Sequence, residues 1–457
     1  GFVGFKLANK NGDWSGFADA YENRTGELSL AGYEGGDLYL VVQNMQASVG
    51  YIEVKSITLK AGEITNVKDG SSLKRAYGDM FGKVGNALVG NQMTDKNCVN
   101  FATSQYNSVT MGNEMKPDSL LKNWNPAFSD TNPEGYVDTA KFTYKYKDSK
   151  YPVIDMDSID KYINVAYQNG MKMRFHVFVW HKQTPQWFFK ENFNKNGAYV
   201  SKEVMDGRLE YLVRNVMTHI YSYKNSDGVY VGREVIDNWD MANEYTHNND
   251  GGEKSYWDEV YYPDYEYSEK KHSGIYTPVY IKEAFAIGHS ILEDFGLTDK
   301  VSLMYNDYNT YLCPEDEVLL IDFINEDGKI CDGLGMQSHL TVGNAAHSPD
   351  LYAQALECFR SNMPDMDIHI TEIDAGYTST ADKVVTDQDQ AAYYDQIMGA
   401  LLQSKAKGAK ISALVIWSLY DGVSWRASSV PCLFNGLYSP KSAFFAVANA
   451  KDAYKSK

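Results

Sequence analysis

Two glutamates stand 128 positions apart in this chain, each closing a short apolar run: Glu244 in Val235-Ile-Asp-Asn-Trp-Asp-Met-Ala-Asn-Glu244 and Glu372 in Ile368-His-Ile-Thr-Glu372-Ile-Asp374. Such runs read as buried parallel strands whose last residue emerges at the carboxyl end. In an eight-stranded α/β barrel that rim is where chemistry is done. Two carboxylates there can divide the cleavage of a glycosidic bond, one as acid/base and the other as nucleophile. A single acidic strand end is ordinarily a solvated cap, so the case rests on the neighbours of the pair.

From about residue 72 the rhythm is apolar strand followed by amphipathic helix. The strands expected are 83–89, 108–111, 171–180, 235–242, 301–305, 333–338, 367–371 and 413–417, with helices at 159–169, 280–295, 351–362 and 387–405. Eight βα units predict a closed (β/α)8 TIM barrel more than an open doubly wound sheet. No Gly-rich phosphate fingerprint follows the first strand, which counts against a dinucleotide fold.

Polar residues gather at the carboxyl ends of these strands. The second ends in Gly112-Asn113-Glu114-Met-Lys116, and the third carries His176, Trp180, His181 and Gln183. The fourth ends in Asn243-Glu244, the fifth in Asn306-Asp307-Tyr308-Asn309, and the sixth in Gln337-Ser338-His339. The seventh contributes Glu372 and Asp374, and the eighth Trp417, followed by Asp421 and Trp425. Amides and imidazoles hydrogen-bond sugar hydroxyls, and indoles pack on the apolar faces of sugar rings. One glutamate must be ionised to attack the anomeric carbon while the other stays protonated to release the leaving oxygen. His339 is expected to hydrogen-bond Glu372 and keep it anionic, with Asp374 behind it, and Asn243 to hold a sugar 2-hydroxyl.

Other chemistries lack support. His176 and His181 are five apart on a strand and point to opposite faces, so one metal ion cannot easily use both. There is no HExxH, CxxC or EF-hand pattern and no G-x-S-x-G elbow, so neither a metal nor a cofactor is expected. The balance of 43 Lys and Arg against 60 Asp and Glu gives a net charge of −17 with no basic run, which argues against nucleic acid and anionic membranes. No apolar stretch is long enough to span a bilayer. The 35 Tyr and 8 Trp are many, and flat rings with polar edges suit sugar stacking as well as core packing. Cys98, Cys313, Cys331, Cys358 and Cys432 are scattered, with neither metal nor disulfide spacing.

Residues 1–62 differ from the rest. Short alternating runs at 27–30, 37–42 and 51–59, separated by Gly, Asn and Asp clusters, predict antiparallel strands. A full β-sandwich takes about 100 residues, so this reads as part of one, followed by a linker at 63–71 and the barrel at 72–457. The chain opens at Gly1 without an initiator Met or signal peptide, as expected of a mature or trimmed fragment.

The rim motifs resemble glycoside hydrolase family 10, the retaining endo-β-1,4-xylanases, from about Ser72 to the C-terminus. The motifs are Asn113-Glu-Met-Lys116-Pro, His176-Val-Phe-Val-Trp180-His181-Lys-Gln183-Thr-Pro, Trp239-Asp-Met-Ala-Asn243-Glu244 and Asn306-Asp-Tyr-Asn309. They continue with Gly335-Met-Gln337-Ser-His339, Ile370-Thr-Glu372-Ile-Asp374 and Trp417-Ser-Leu-Tyr-Asp421-Gly-Val-Ser-Trp425-Arg426, in the family's order. The resemblance implies Glu244 as acid/base and Glu372 as nucleophile, with His339, Asp374 and Asn243 in support. It implies xylan and xylo-oligosaccharides as partners, held by Asn113, Lys116, His176, Trp180, His181, Gln183, Asn306, Tyr308, Gln337, Trp417 and Trp425. It also implies a secreted or cell-surface enzyme, with the N-terminal segment belonging to a carbohydrate-binding module whose missing part is a further partner. Trp14, Tyr21, Tyr33, Tyr39 and Tyr51 are its candidate stackers.

Two departures stand out. The family commonly has Glu immediately before Asn113, contacting the sugar two places to the glycone side of the cut; here that position is Gly112, and Glu114 falls two residues further on. Residues 245–280 are rich in Tyr, and an enlarged aglycone-side wall competes there with aromatics that pack among themselves. The rivals are a β-1,4-glucanase on the same scaffold and a non-catalytic glycan-binding protein with a decayed barrel.

Overall fold

The computed structural model describes residues 3–8, 21–22, 39–44, 72–133, 141–247, 254–264, 277–379 and 384–455. Near the N-terminus Val3–Ala8 pairs antiparallel with both Tyr21–Glu22 and Tyr39–Asn44. The expected strand at 37–42 thus has its counterpart two residues later. The expected runs at 27–30 and 51–59, the linker, and Trp14, Tyr33 and Tyr51 lie outside the described residues.

The barrel strands are β1 (Lys83–Leu88), β2 (Ser108–Met111), β3 (Lys172–Trp180), β4 (Ile236–Asn243), β5 (Ser302–Asp307), β6 (Gly333–Met336), β7 (Asp367–Gly376) and β8 (Ile411–Ile416). Each pairs in parallel with its sequence neighbours, and β8 pairs with β1 to close the ring. Burial on both faces explains the continuous apolar runs: every residue of β2 and all but the first of β7 are buried.

A helix follows each strand: α1 (Lys96–Gln105), α2 (Met156–Gln168), α3 (Lys202–Ser222), α4 (Val279–Phe295), α5 (Pro314–Ile324), α6 (Pro349–Asn362), α7 (Asp387–Ala406) and α8 (Ser442–Lys455). Caps mark several of them. Asp155 accepts the Ser158 N–H before α2, Ser348 accepts that of Leu351 before α6, and Thr386 and Asp389 form a capping box on α7. Gly296 (φ +63°) ends α4 in the left-handed conformation.

Periodicity picks out α2, α4, α6 and α7 but not α1, α3, α5 or α8. For α3 the reason is visible. Residues 205–217 are buried all round, because residues 143–148 cover the helix's outer face. Arg208 forks onto Asp148, and Glu210 accepts the N–H groups of Thr143 and Tyr144, at 2.8 and 2.5 Å. Charged residues therefore occupy positions where an amphipathic pattern needs apolar ones.

The barrel interior is crossed by a polar layer. Arg174 on β3 pairs with Asp240 on β4 and reaches His369 Nδ1 on β7 at 2.8 Å, a contact between non-adjacent strands. Above it, Gly335 on β6 lies so close to Asn306 that a methyl group would strike the Asn306 side-chain oxygen. All five cysteines are free thiols.

In the Tyr-rich connection after β4, four rings resolve against the aglycone wall, while Tyr256 and Tyr262 are half-buried. Tyr245, Trp257, Tyr261 and Tyr280 are all buried. Trp257 stacks on Tyr280 with centroids 5.2 Å apart, and Tyr261 packs on Tyr280 at 5.0 Å. The Tyr261 hydroxyl donates to Asp206 at 2.7 Å. These rings form a core between the connection and α3, so they cannot meet a polymer; Tyr265, Tyr267 and Tyr276 lie outside the described residues. Replacing Tyr261 with Ala should therefore destabilise the fold by about 3–5 kcal/mol, the usual loss for a deleted buried ring. Its kinetics on long substrates should stay unchanged at temperatures where it is folded, and a normal melting temperature with a raised KM would restore the wall.

Candidate active site

Thirteen of the residues expected at the rim line one cleft of about 810 Å³: Asn113, Lys116, His176, Trp180, Gln183, Asn243, Glu244, Tyr308, Gln337, His339, Glu372, Trp417 and Trp425. The barrel makes this possible by ending β2 to β8 on one side. Backbone turns then aim the side chains, for Gln183, Glu244 and Ser338 have φ of 45°, 57° and 65°. These left-handed conformations are costly outside glycine and persist where surrounding contacts hold them. The turn at Ser338 separates β6 from a short strand, His339–Thr341, that pairs with β7 and sets His339 opposite Asp374.

Glu372 is almost fully buried, which opposes its ionisation, but several partners outweigh burial. His339 Nε2 lies 3.1 Å from Glu372 Oε2, and the Asn306 amide donates to Oε1 at 3.0 Å. These bonds, with the charges of His176 and His339, hold the carboxyl at about 2. His339 Nδ1 in turn lies 3.0 Å from Asp374 Oδ2, an ion-pair contact without full hydrogen-bond alignment. Burial disfavours charge on His339, yet Asp374 and Glu372 raise it to about 10. The imidazole is therefore a cation between two anions at neutral pH.

Glu244 is held the other way. Burial raises its pKa, the Asp307 charge adds to that, and the hydrogen bonds it accepts only partly offset the rise. Those bonds come from the Trp180 indole N–H at 2.8 Å and the Gln337 amide at 2.9 Å. Two carboxyl groups in one cleft are thus driven apart in pKa, as separate acid and nucleophile duties require.

An amide chain joins them. Gln337 donates to Glu244 and to Asn243 Oδ1, while Asn306 donates to Asn243 Oδ1 and to Glu372. With its oxygen so occupied, Asn243 keeps Nδ2 without a hydrogen-bond partner among the described residues, as a donor for a hydroxyl. Lys116 Nζ sits 3.0 Å from Gln183 Oε1 and 4.9 Å from the centre of the Trp180 ring. Trp417 is 9% exposed and Trp425 68%, so one forms the floor and the other an open flap.

Two residues expected to meet sugar, Asn306 and His181, take other places. Asn306 is fully buried, with both ends of its amide engaged by Thr371, Asn243 and Glu372, so it orients the carboxylate and does not face sugar. Asp374 is likewise fully buried, in its expected place behind His339. His181 does not line the cleft and lies 4.0 Å from Glu244 Oε2. Trp180 lines the cleft but spends its N–H on Glu244. Asp421, noted at the eighth strand, ties a loop by pairing with Lys441 at 3.0 Å and accepting the Cys432 N–H.

Residues that sequence reasoning missed are charges whose partners are remote in sequence. Asp240 receives His176 Nδ1 at 2.8 Å, and Arg426 pairs with Asp374 and donates to Thr341. Arg426 stood inside a quoted motif, but nothing there named its partner. Gln92, Lys182, Asn309 and His347 also line the cleft.

Residues 72–450 match the model of Glycosyl hydrolase family 10. Endo-1,4-β-xylanase A of Butyrivibrio fibrisolvens is 35% identical, over 83% of this chain and 84% of that protein. The bifunctional endo-1,4-β-xylanase XylA of Ruminococcus flavefaciens is 32% identical over 82% of this chain, but the match covers only 33% of its own length. Endo-1,4-β-xylanase A of Thermoanaerobacterium saccharolyticum is 25% identical over 98% of this chain, including residues before 72, and again over 33% of its own length. Among solved structures, the CBM22-1 and GH10 modules of Clostridium thermocellum endo-1,4-β-D-xylanase 10B, complexed with xylohexaose, superpose with a TM-score of 0.65. That pair shares 26% identity, covering 83% of this chain and 68% of the other. The barrel, the order of its rim motifs and these likenesses have one explanation in common, which is that the chain belongs to glycosyl hydrolase family 10.

Proposed function

We propose that the protein is a retaining endo-β-1,4-xylanase. The observation that carries this is the opposite electrostatic treatment of the two glutamates in one cleft. Glu372, ionised, attacks the anomeric carbon while Glu244, protonated, gives its proton to the leaving oxygen. A water that loses its proton to Glu244 then attacks the anomeric carbon of the glycosyl–Glu372 ester from the face that the leaving group left, releasing Glu372 and restoring both carboxyl groups. Asn243 Nδ2 donates to the 2-hydroxyl, where a contact strengthens as positive charge grows at the ring. Trp417 and Trp425 stack against sugar faces.

Replacing Glu244 with Ala should lower turnover on xylan by about 10²–10⁴-fold, the usual contribution of a general acid/base. Azide, which needs no base, should restore turnover of an aryl xyloside and yield the β-xylosyl azide; an α-product would overturn retention.

The pH profile follows from the two shifts. Activity falls as pH drops through the Glu372 value of about 2 and as pH rises through the elevated Glu244 value. Replacing His339 with Asn removes a positive charge beside Glu372, so the Glu372 pKa must rise. The acid limb of kcat/KM should then move up into or above the usual carboxylate range of about 4, with the basic limb nearly unmoved. An unshifted acid limb would remove His339 from this role.

Gly112 bears on substrate choice. A β-carbon there would meet Val89 at 3.1 Å, a contact that a small shift relieves, so a larger side chain can enter the cleft wall. Glu114 cannot stand in, because it accepts the N–H groups of Gly90 and Asn113 outside the cleft. The Gly112→Glu variant should lower KM for short xylo-oligosaccharides, read from initial rates. Equal turnover of xylan and β-glucan by the parent would favour the glucanase reading.

The N-terminal sheet is proposed to belong to a carbohydrate-binding module, supported by its antiparallel strands and by the Thermoanaerobacterium match across it. Equal retention on insoluble xylan with and without residues 1–71 would argue against that. Action outside the cell or at its surface is proposed because xylan is too large to cross an envelope, and activity confined to the cytosol would contradict it.

A further inference from the structure

Three residues past Glu244 the rim holds a second polar cluster that does not line the cleft, although its Asp307 charge raises the Glu244 pKa. His247 follows β4, Asp307 ends β5 and Glu317 stands in α5, and one ligand atom from each lies within 4.8 Å of the others. Asp307 is 0% and Glu317 1% exposed.

Donors are shared unevenly among them. Asp307 accepts from the Tyr305 hydroxyl at 2.5 Å and the Tyr308 N–H at 2.7 Å, and His247 Nδ1 lies 3.0 Å away. The Thr246 N–H donates to Asp307 Oδ2 at 3.2 Å, and its hydroxyl lies 2.6 Å from the same oxygen and 2.9 Å from Glu317 Oε1. The other oxygen, Glu317 Oε2, is buried with no hydrogen-bond partner among the described residues. Burial and the neighbouring Asp307 charge raise the Glu317 pKa well above the usual carboxylate range, and a cation at this point offsets both effects.

We propose that His247, Asp307 and Glu317 bind one divalent first-row transition ion of the Zn²⁺ or Mn²⁺ kind. The donor set is one imidazole nitrogen and two carboxylates, which suits those ions, whereas Ca²⁺ and Mg²⁺ take oxygen ligands. Ligand atoms about 2.0–2.2 Å from such an ion stand at most about 4.4 Å apart. Three ligands spread evenly around a tetrahedral ion stand about 3.5 Å apart, so the cluster, whose ligand atoms lie within 4.8 Å of one another, draws together on binding. The ion ties the segment after Glu244 to β5 and α5.

The test is titration of the metal-stripped full chain with Zn²⁺ and Mn²⁺, with Ca²⁺ and Mg²⁺ as controls, followed by calorimetry and thermal melting. One ion per chain should bind and raise the melting temperature, and xylotriose filling the cleft should not displace it. Glu317→Gln and His247→Gln should each weaken binding by about tenfold or more, at least what loss of an outer-shell partner costs. Glu317→Gln, which adds a donor, should melt no lower than the metal-free parent. The proposal fails if no Zn²⁺ or Mn²⁺ binds, if both variants bind like the parent, if Ca²⁺ binds equally well, or if the sugar displaces the ion.

Discussion

A cationic imidazole held between two carboxylates is what the rest of this active site depends on. Burial alone would protonate Glu372 and silence it as a nucleophile. His339, itself kept charged by Asp374, reverses that outcome, and Arg426 holds Asp374 from the opposite side. At Glu244 two hydrogen bonds and the Lys182 charge lower the pKa only in part, so burial and the Asp307 charge prevail there. One cleft thereby drives the pKa values of two residues of the same type in opposite directions.

Position matters as much as charge. The amide chain Gln337–Asn243–Asn306 joins both glutamates to strands β4, β5 and β7, so neither can shift without disturbing the other. Beneath it, the Arg174–Asp240–His369 contacts cross the barrel and fix His176, which adds positive potential at Glu372. Gly335 leaves Asn306 the space to lie flat between them. The site is preorganised by packing of polar groups, which explains why so many of its supports are buried amides and charges.

Much of this was legible from the residues. All eight barrel strands were found to within a few residues at either end, except β7, which runs five residues past its expected end, because buried parallel strands read as apolar runs ending in polar rim residues. Helices with one solvated face were legible too. Helix α3 was not, since its outer face is covered and its charges are paired to a loop some 60 residues earlier in sequence. Likewise the rings after β4 carry composition suited to sugar, and only their packing against α3 showed that they serve the core.

The sequence by itself determined the barrel, the rim and the identity of the catalytic pair, because periodicity and motif order are local properties of a chain. Tertiary structure decided the roles that depend on who stands opposite. It moved Asn306 from the sugar to the carboxylate, turned the Trp180 N–H onto Glu244, and gave Asp240 and Arg426 their partners. It also brought His247, Asp307 and Glu317 together. Those contacts join residues some 10 to 85 positions apart, and electrostatics acts across such space without leaving a spacing in the sequence.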